Sequence, residues 1–356
     1  MAYTTINKSE DYFKPVLYTG THSSVPTVTV GFKSDFLWLK SRTQTYDHNL
    51  LDTTRGGTKK VSSNNNNAES TTGDSVTFNA TTFQPSGQAI NESGQGADNM
   101  ISWNWKSNGG TTASNSSGSV TSTVQANTTA GFSIVTYTAT GSGDITVGHG
   151  LGVAPELILT KTRSVSYDWR VFAGSNATGG EAGAGKSLQL DGNGAIASNN
   201  SYPSPAPTST VMTMGRGSDD NNNYANGQTL VSYCFRSIPG YSIIGSYQAN
   251  GGSNGVFVFT GFKPAFLIVK RTNSSDNWFM LDTARNINNP VNSYIMPNSS
   301  SAEDSNNSTV NIDFLSNGFK VRGSSSAINT DGSQYLYLAF ASSPFVTSDG
   351  VPTTAR

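Results

Sequence analysis

Apolar residues along this chain come in short runs fenced by Gly, Asn and Ser rather than in long amphipathic stretches. Phe257-Val-Phe-Thr-Gly and Phe266-Leu-Ile-Val-Lys have the length and composition of buried strands. Ile101-Ser-Trp-Asn-Trp105-Lys, Val231-Ser-Tyr-Cys-Phe235-Arg and Tyr335-Leu-Tyr-Leu-Ala-Phe340 alternate with the period of two that sends successive side chains to opposite faces of a sheet. Ser316-Asn317-Gly318-Phe319 carries Asn-Gly, a pair that tolerates the positive φ angles of a tight hairpin. No segment of ten or more residues holds a clean helical period. The pattern predicts an all-β protein of short strands.

The runs recur. Gly31-Phe-Lys-Ser-Asp-Phe-Leu-Trp-Leu-Lys40-Ser-Arg resembles Gly152-Val-Ala-Pro-Glu-Leu-Ile-Leu-Thr-Lys161-Thr-Arg and Gly261-Phe-Lys-Pro-Ala-Phe-Leu-Ile-Val-Lys270-Arg-Thr. Downstream, Asp47-His-Asn-Leu-Leu-Asp52-Thr-Thr-Arg55 is echoed by Asp276-Asn-Trp-Phe-Met-Leu-Asp282-Thr-Ala-Arg285. The middle copy keeps Tyr167-Asp168-Trp169 but has Ala173 and Asn176 where the others have Asp and Arg. Repetition at this spacing marks a repeated structural unit. Short strands in units of roughly 110 residues, with Gly/Asn/Ser loops, predict three tandem β-sandwiches of jelly-roll or concanavalin A-like type. The expected boundaries are an N-terminal arm at 1–13, repeat 1 at 14–109, a Ser/Thr/Gly linker at 110–129, repeat 2 at 130–238, repeat 3 at 239–346 and an irregular tail at 347–356. The long 110–129 segment predicts a first repeat on a loose lead. The abrupt Ile238-Pro239-Gly240 junction predicts that repeats 2 and 3 form one rigid unit. The polar arm is expected to dock on a neighbouring subunit.

Composition narrows the function. The chain has 356 residues, with 22 Lys+Arg against 23 Asp+Glu, a net charge of -1 and only 13% charged residues. Nucleic-acid binding needs a basic excess that is missing here. Ser, Thr, Asn and Gly number 50, 41, 35 and 37, close to half the chain, and favour turns and pleated strands over helices. The first residues lack the basic and apolar regions of a signal peptide, and no apolar run approaches membrane-spanning length. The single cysteine, Cys234, sits in an apolar run and reads as a buried, inert thiol. A non-secreted chain with so polar a composition suits a particle assembled in the host cytoplasm and released by lysis.

Catalytic chemistry finds little footing. His22, His48 and His149 have no second ligand at zinc spacing. Gly148-His149-Gly150 precedes a predicted strand rather than the helix a phosphate loop requires, so it reads as a turn. Asp52, Asp282 and Glu303 are the candidate acids for glycoside hydrolysis, which needs two carboxyls across a cleft. The Asp-x-x-Arg units at Asp52/Arg55 and Asp282/Arg285 read instead as exposed ion pairs pinning turns, worth about 0–1 kcal/mol each. Gly217–Asn223 offers oxygen ligands for calcium without the spacing of an EF-hand. Trp38, Trp103, Trp105, Trp169 and Trp278 serve either as core or as sugar-stacking platforms, and core packing is the preferred reading. No catalytic residue, metal site or cofactor is expected, and no binding residue is assigned.

Ala130-Gly131-Phe132-Ser-Ile-Val-Thr-Tyr137-Thr, Val147-Gly-His149-Gly-Leu-Gly-Val-Ala-Pro155, Leu230-Val-Ser-Tyr-Cys234-Phe, the opening Met1-Ala-Tyr-Thr-Thr-Ile and the ending Val351-Pro-Thr-Thr-Ala-Arg356 resemble three-repeat virion structural proteins of marine tailed bacteriophages. The resemblance spans essentially the whole chain. It implies a phage structural protein with lectin-like sandwich repeats and supplies no catalytic residues. The expected role is a non-enzymatic virion surface component, either a tail fibre or spike or a capsid-decorating protein. Its expected partners are other virion proteins, further copies of itself (a trimer among the options) and a host surface glycan, with no nucleic acid and no membrane insertion. The alternatives are a carbohydrate-binding host-recognition module and, behind it, a polysaccharide depolymerase.

Overall fold

The computed structural model describes residues 4–21, 24–91, 99–174, 178–179, 183–216 and 222–343. It is an all-β sandwich protein, and its helices among these residues are two four-residue α-helices, a 3-10 turn at Ser9–Asp11 and a 3-10 residue at Thr178. Each sequence repeat supplies one large antiparallel sheet with a shared strand order. In repeat 1 the order is Phe13–Thr19, Asn99–Trp105, Phe36–Ser41, Asn49–Asp52. Repeat 2 has Phe132–Thr138, Thr229–Phe235, Leu157–Thr162, Arg170–Ala173, and repeat 3 has Ser242–Gln248, Gln334–Ser343, Lys263–Arg271, Phe279–Asp282. The registers coincide. Phe36↔Trp105, Leu157↔Phe235 and Phe266↔Phe340 are equivalent pairs, as are Trp38↔Trp103, Leu159↔Tyr233 and Ile268↔Leu338.

Strand alternation gives each large sheet two buried faces. In repeat 1, Leu37 and Leu39 point to a smaller sheet holding Val28, Val76 and Phe83. Their neighbours Phe36 and Trp38 point the other way, into a core that also takes Leu157, Leu159, Tyr233 and Phe235 from repeat 2 and Phe266, Ile268, Leu338 and Phe340 from repeat 3. Rings from different repeats meet directly. Phe36 stacks on Tyr233 at 4.1 Å and Phe13 on Phe340 at 4.6 Å, while Trp105 meets Phe235 edge-on at 6.3 Å. Aromatic pairs at such separations each add about 0.5–1.5 kcal/mol beyond area burial. Where the three sheets converge, a void of about 20 Å³ is lined wholly by apolar side chains from all three repeats. A cavity of that character stays dry.

This shared core corrects the expectation of a loosely tethered first repeat: repeat 1 is packed against both others, because the outer face of its large sheet is as apolar as the inner one. The 110–129 segment is no free linker either. Ala113–Asn115 and Ser122–Asn127 add two strands to the repeat 2 sheet, and Val120 bridges Val147 so that the edge of the strand Ile145–Gly148 is covered. Thr123 and Val124 suit that strand despite the linker-like composition. The arm also departs from expectation. Thr4, Ile6 and Ser9 are buried, and the turn Ser9–Asp11 packs beside Gln334–Ser343 of the same chain. Ile6, an apolar anchor in a polar segment, joins the central core. The hairpin at 316–317 forms, but Ser316 and Asn317 are its turn residues and Gly318 opens the return strand. Glycine is required there because a Cβ would meet the Val258 carbonyl oxygen at 2.1 Å. The 347–356 tail lies outside the described residues.

Candidate functional site

The chemistry-bearing side chains gather at the three seams between repeats. At every seam a buried ring nitrogen reaches a backbone carbonyl of the adjoining repeat. Trp169 Nε1 donates to Ser62 O at 2.7 Å, Trp278 Nε1 to Gln189 O at 2.8 Å, and His48 Nε2 lies 3.0 Å from Met296 O. The sequence runs repeat 2 to 1, 3 to 2 and 1 to 3, so the contacts close a ring. His48 accepts from Trp38 Nε1 at its Nδ1, at 2.8 Å, so the proton belongs on Nε2 and the ring is neutral. Burial, with Lys40 adding to it, pushes its pKa down to about 3.

Two seams add a buried ionic cluster. Between repeats 1 and 2, Asp52 accepts from Arg55 N at 2.8 Å, Arg55 Nε at 2.5 Å and the Tyr233 hydroxyl at 2.8 Å. Arg55 also reaches Glu69 at 2.8 Å, and Glu69 receives a two-pronged pair from Arg163 at 2.7 and 2.9 Å. Burial alone would lower the Arg55 pKa, but Asp52, Tyr233 and Glu69 outweigh it and hold it up. Burial would raise Glu69, and the Arg163 and Arg55 guanidinium groups overturn that and keep it low. Between repeats 3 and 1 the arrangement recurs. Asp282 binds Arg285 Nε at 2.7 Å and Trp103 Nε1 at 3.1 Å, Arg285 lies 3.4 Å from Glu303 and 5.6 Å over the Trp103 ring, and Glu303 takes both prongs of Arg42 at 2.8 Å.

The seam between repeats 2 and 3 has none of this. The equivalents of Asp, Glu, the partner Arg and the aromatic donor are Ala173, Ile196, Thr272 and Leu338, and Asn176, at the Arg position, lies outside the described residues. One backbone bond persists at all three seams: Glu69 N to Arg163 O, Glu303 N to Arg42 O, and Ile196 N to Thr272 O, at 2.8, 2.9 and 2.8 Å. Lys40, Lys161 and Lys270 are also buried at equivalent positions, their ammonium groups held by backbone carbonyls.

These contacts revise the sequence expectations for particular residues. Asp52 and Asp282 are not exposed turn pins; their side chains and those of Arg55 and Arg285 are 0% exposed. The turn is pinned as expected, but the same carboxylates also bind a neighbouring repeat. Their oxygens are hydrogen-bonded to Arg55 or Arg285 and to Tyr233 or Trp103. All five tryptophans are buried, so a tryptophan sugar platform is excluded. His149 is a turn residue, its Nδ1 accepting from Leu151 N at 3.2 Å, and Cys234 is buried with its thiol pushed up to about 12 by burial. His22 and Gly217–Asn221 of the calcium candidate lie outside the described residues; Asn222 and Asn223 are buried in loop hydrogen bonds. Among the described residues no three His, Cys, Asp or Glu side chains form a metal-binding group, and no helix is long and apolar enough to cross a membrane. Sequence reasoning missed Glu69, Arg42, Arg163 and Tyr233. The repeated Lys-Ser/Thr-Arg wording was the available signal for the two arginines; nothing local marked Glu69.

One surface stands out from the equivalent faces. On the edge strand Phe257–Phe259, Phe257 and Phe259 are 46% and 63% exposed, flanking buried Val258. Opposite them on the neighbouring strand sit Lys320 and Gly318, with the exposed Arg322–Asp313 pair beside them. Repeat 1 carries Thr27 and Thr29 at the corresponding positions.

The fold and its seams define a single-chain, all-β ring of three repeats. The chain belongs to the family described as Domain of unknown function (DUF7483), whose model matches residues 8–344. No curated protein and no solved structure matches it.

Proposed function

We propose that the protein is a non-enzymatic structural component of a bacteriophage virion, exposed on the particle as a capsid-decorating block or a tail fibre or spike, and contributing to assembly and host adhesion. The observation that supports this reading is the closed ring of seams. The tryptophans and most of the buried charges are spent on holding three repeats together, which yields a rigid block. One chain with a three-fold-like arrangement suits a threefold or quasi-threefold position among other virion proteins. The polar, weakly charged surface suits dense packing, since its hydrogen bonds are cheaper to desolvate than ions. Immunogold labelling of intact particles with antibody against this chain tests the reading. Label on the head supports decoration and label on the tail supports a fibre or spike; particles without label overturn it.

A second reading, adhesion to a host glycan, draws on Phe257 and Phe259, whose exposed rings have Lys320, Asp313 and Arg322 for polar neighbours. Phe257→Ser with Phe259→Ser is expected to abolish binding to host-cell polysaccharide while leaving the melting temperature unchanged. Retained binding removes this reading.

A further inference from the structure

Three equivalent side-chain pairs sit beside the seam rings: Asp47 with Asn64, Asp168 with Asp191, and Asn277 with Asn298. The second member accepts from the backbone N–H of the ring residue in each repeat. Asn64 Oδ1 takes His48 N at 2.9 Å, Asp191 Oδ1 takes Trp169 N at 3.1 Å, and Asn298 Oδ1 takes Trp278 N at 3.1 Å. In repeats 1 and 3 its amide then donates to the first member, Asn64 Nδ2 to Asp47 Oδ1 at 2.6 Å and Asn298 Nδ2 to Asn277 Oδ1 at 2.8 Å. Repeat 2 has a carboxyl at both positions and no amide hydrogen to give. Asp168 and Asp191 line a cleft of about 270 Å³ with Gln189 and Gly192 of their own repeat and Asn65 and Asn66 of repeat 1.

We propose that Asp191 carries a proton that it donates to Asp168, forming a pH-sensitive latch at the seam between repeats 1 and 2, the proton replacing the amide hydrogens of the other repeats. Loss of the proton turns a hydrogen bond into repulsion between like charges. Of the neighbouring positive groups, Lys161 is held by backbone carbonyls and Arg170 pairs with Asp168. Lys161 Nζ donates to the carbonyls of Asn66, Thr162 and Tyr167. The Arg170 guanidinium stands 4.0 Å from Asp168, and Gln189 Nε2 donates to Asp168 Oδ2 at 2.6 Å. Repeat 1 contributes only the uncharged Asn65 and Asn66. On the repeat 3 side, Arg271 is 3.7 Å from Asp276, whose backbone N–H donates to Asn193 O. Burial and then the Asp168 charge raise the Asp191 pKa to about 7, opposed by the backbone N–H groups of Asp191 and Trp169 and then by Lys161. The latch bears directly on Trp169, whose backbone N–H it accepts and whose indole crosses the seam.

The folded pKa of Asp191 lies above its unfolded value, so its effect on stability is nil near pH 4 and becomes a growing penalty as pH rises toward 7. Asp191→Asn restores the amide of the other repeats and removes that penalty. Melting temperatures of the full chain and of this variant, taken from pH 4 to 9, test the latch. The two are expected to coincide at pH 4 and separate by roughly 5 °C in favour of the variant by pH 8. Asp168→Asn, which supplies an amide from the other side, is expected to behave alike. Taking the difference cancels the histidines common to both chains. A pH-independent gap, or a variant less stable at pH 8, overturns the proposal. So does a rise of the wild-type melting temperature on adding calcium chloride at pH 8 that Asp191→Asn lacks, since a metal ion would then be what joins the pair.

Discussion

The seam between repeats 1 and 2 and the seam between repeats 2 and 3 use the same backbone to opposite ends. Both have the ring-nitrogen bond, at 2.7 and 2.8 Å, and the same backbone bond between repeats. One then adds Asp52, Arg55, Glu69, Arg163 and Tyr233, whereas the other has Ala173, Asn176, Ile196, Thr272 and Leu338 at those positions. The difference is all or none. A single charge of the set, buried alone, would be uncompensated, so the ionic version is tolerable only when every member is present. The seam between repeats 3 and 1, with Asp282, Arg285, Glu303, Arg42 and Trp103, makes the same point independently. One seam closes without any such cluster, so closure as such does not demand one.

Removing one member of the ionic seam should break this comparison most severely. Arg55→Ala leaves Asp52 and Glu69 without their buried guanidinium and is expected to cost about 3–5 kcal/mol in denaturant unfolding. The same unfolding series at raised salt should leave the wild-type seam largely intact, because pairs with 0% exposed side chains are poorly screened. A loss below about 1 kcal/mol would mean that the cluster behaves as an exposed pair after all.

His48 sharpens the comparison through pH, since the other two seams place tryptophan at its position. Its folded pKa, about 3, lies below the unfolded value, so its contribution is complete above pH 6.5 and is lost as pH falls toward 3. The expected slope is about 1.4 kcal/mol per pH unit over that range. Asp191 has the opposite slope between about pH 4 and 7 and masks it in the wild-type chain. In an Asp191→Asn background the acid lability of His48 should emerge, and His48→Gln in that background should reduce it. His149, also lowered by burial, and Glu69, held low by Arg163 and Arg55, remain in both chains and set the residual slope.

How far the sequence carried the reading follows from the range of each signal. The three copies, their strand type and the buried Cys234 were legible because alternation and repeated wording act over a few residues. The ring was not, because its evidence is a partner in another repeat: nothing near Trp169 announces the Ser62 carbonyl, and nothing near Asp52 announces Tyr233. The 110–129 segment misled for a related reason. Its Ser, Thr and Gly are those of a linker, and only the edge of Phe132–Thr138, with which Ser122–Asn127 pairs, explains why it is held as strand. The absence of Asp and Arg from the middle copy was visible, and its meaning required the two further losses at Ile196 and Thr272 that the seam brings beside Ala173.

Exchanging one seam's set for the other's should have the smallest net effect and the most to teach. The five substitutions Asp52→Ala, Arg55→Asn, Glu69→Ile, Arg163→Thr and Tyr233→Leu write the repeat 2–3 set into the repeat 1–2 seam. Replacing a complete buried ionic group by packed apolar residues is often neutral or stabilising, by about 1–4 kcal/mol. Against that stands the Phe36–Tyr233 stack at 4.1 Å, whose loss costs about 0.5–1.5 kcal/mol. The five-fold variant is therefore expected within about 2 kcal/mol of wild type and well above Arg55→Ala in the same unfolding measurement. If it falls to the level of the single variant, the ionic cluster is needed for closure of its own seam, and the apolar seam holds for reasons that reside in repeat 3 instead of in the five positions.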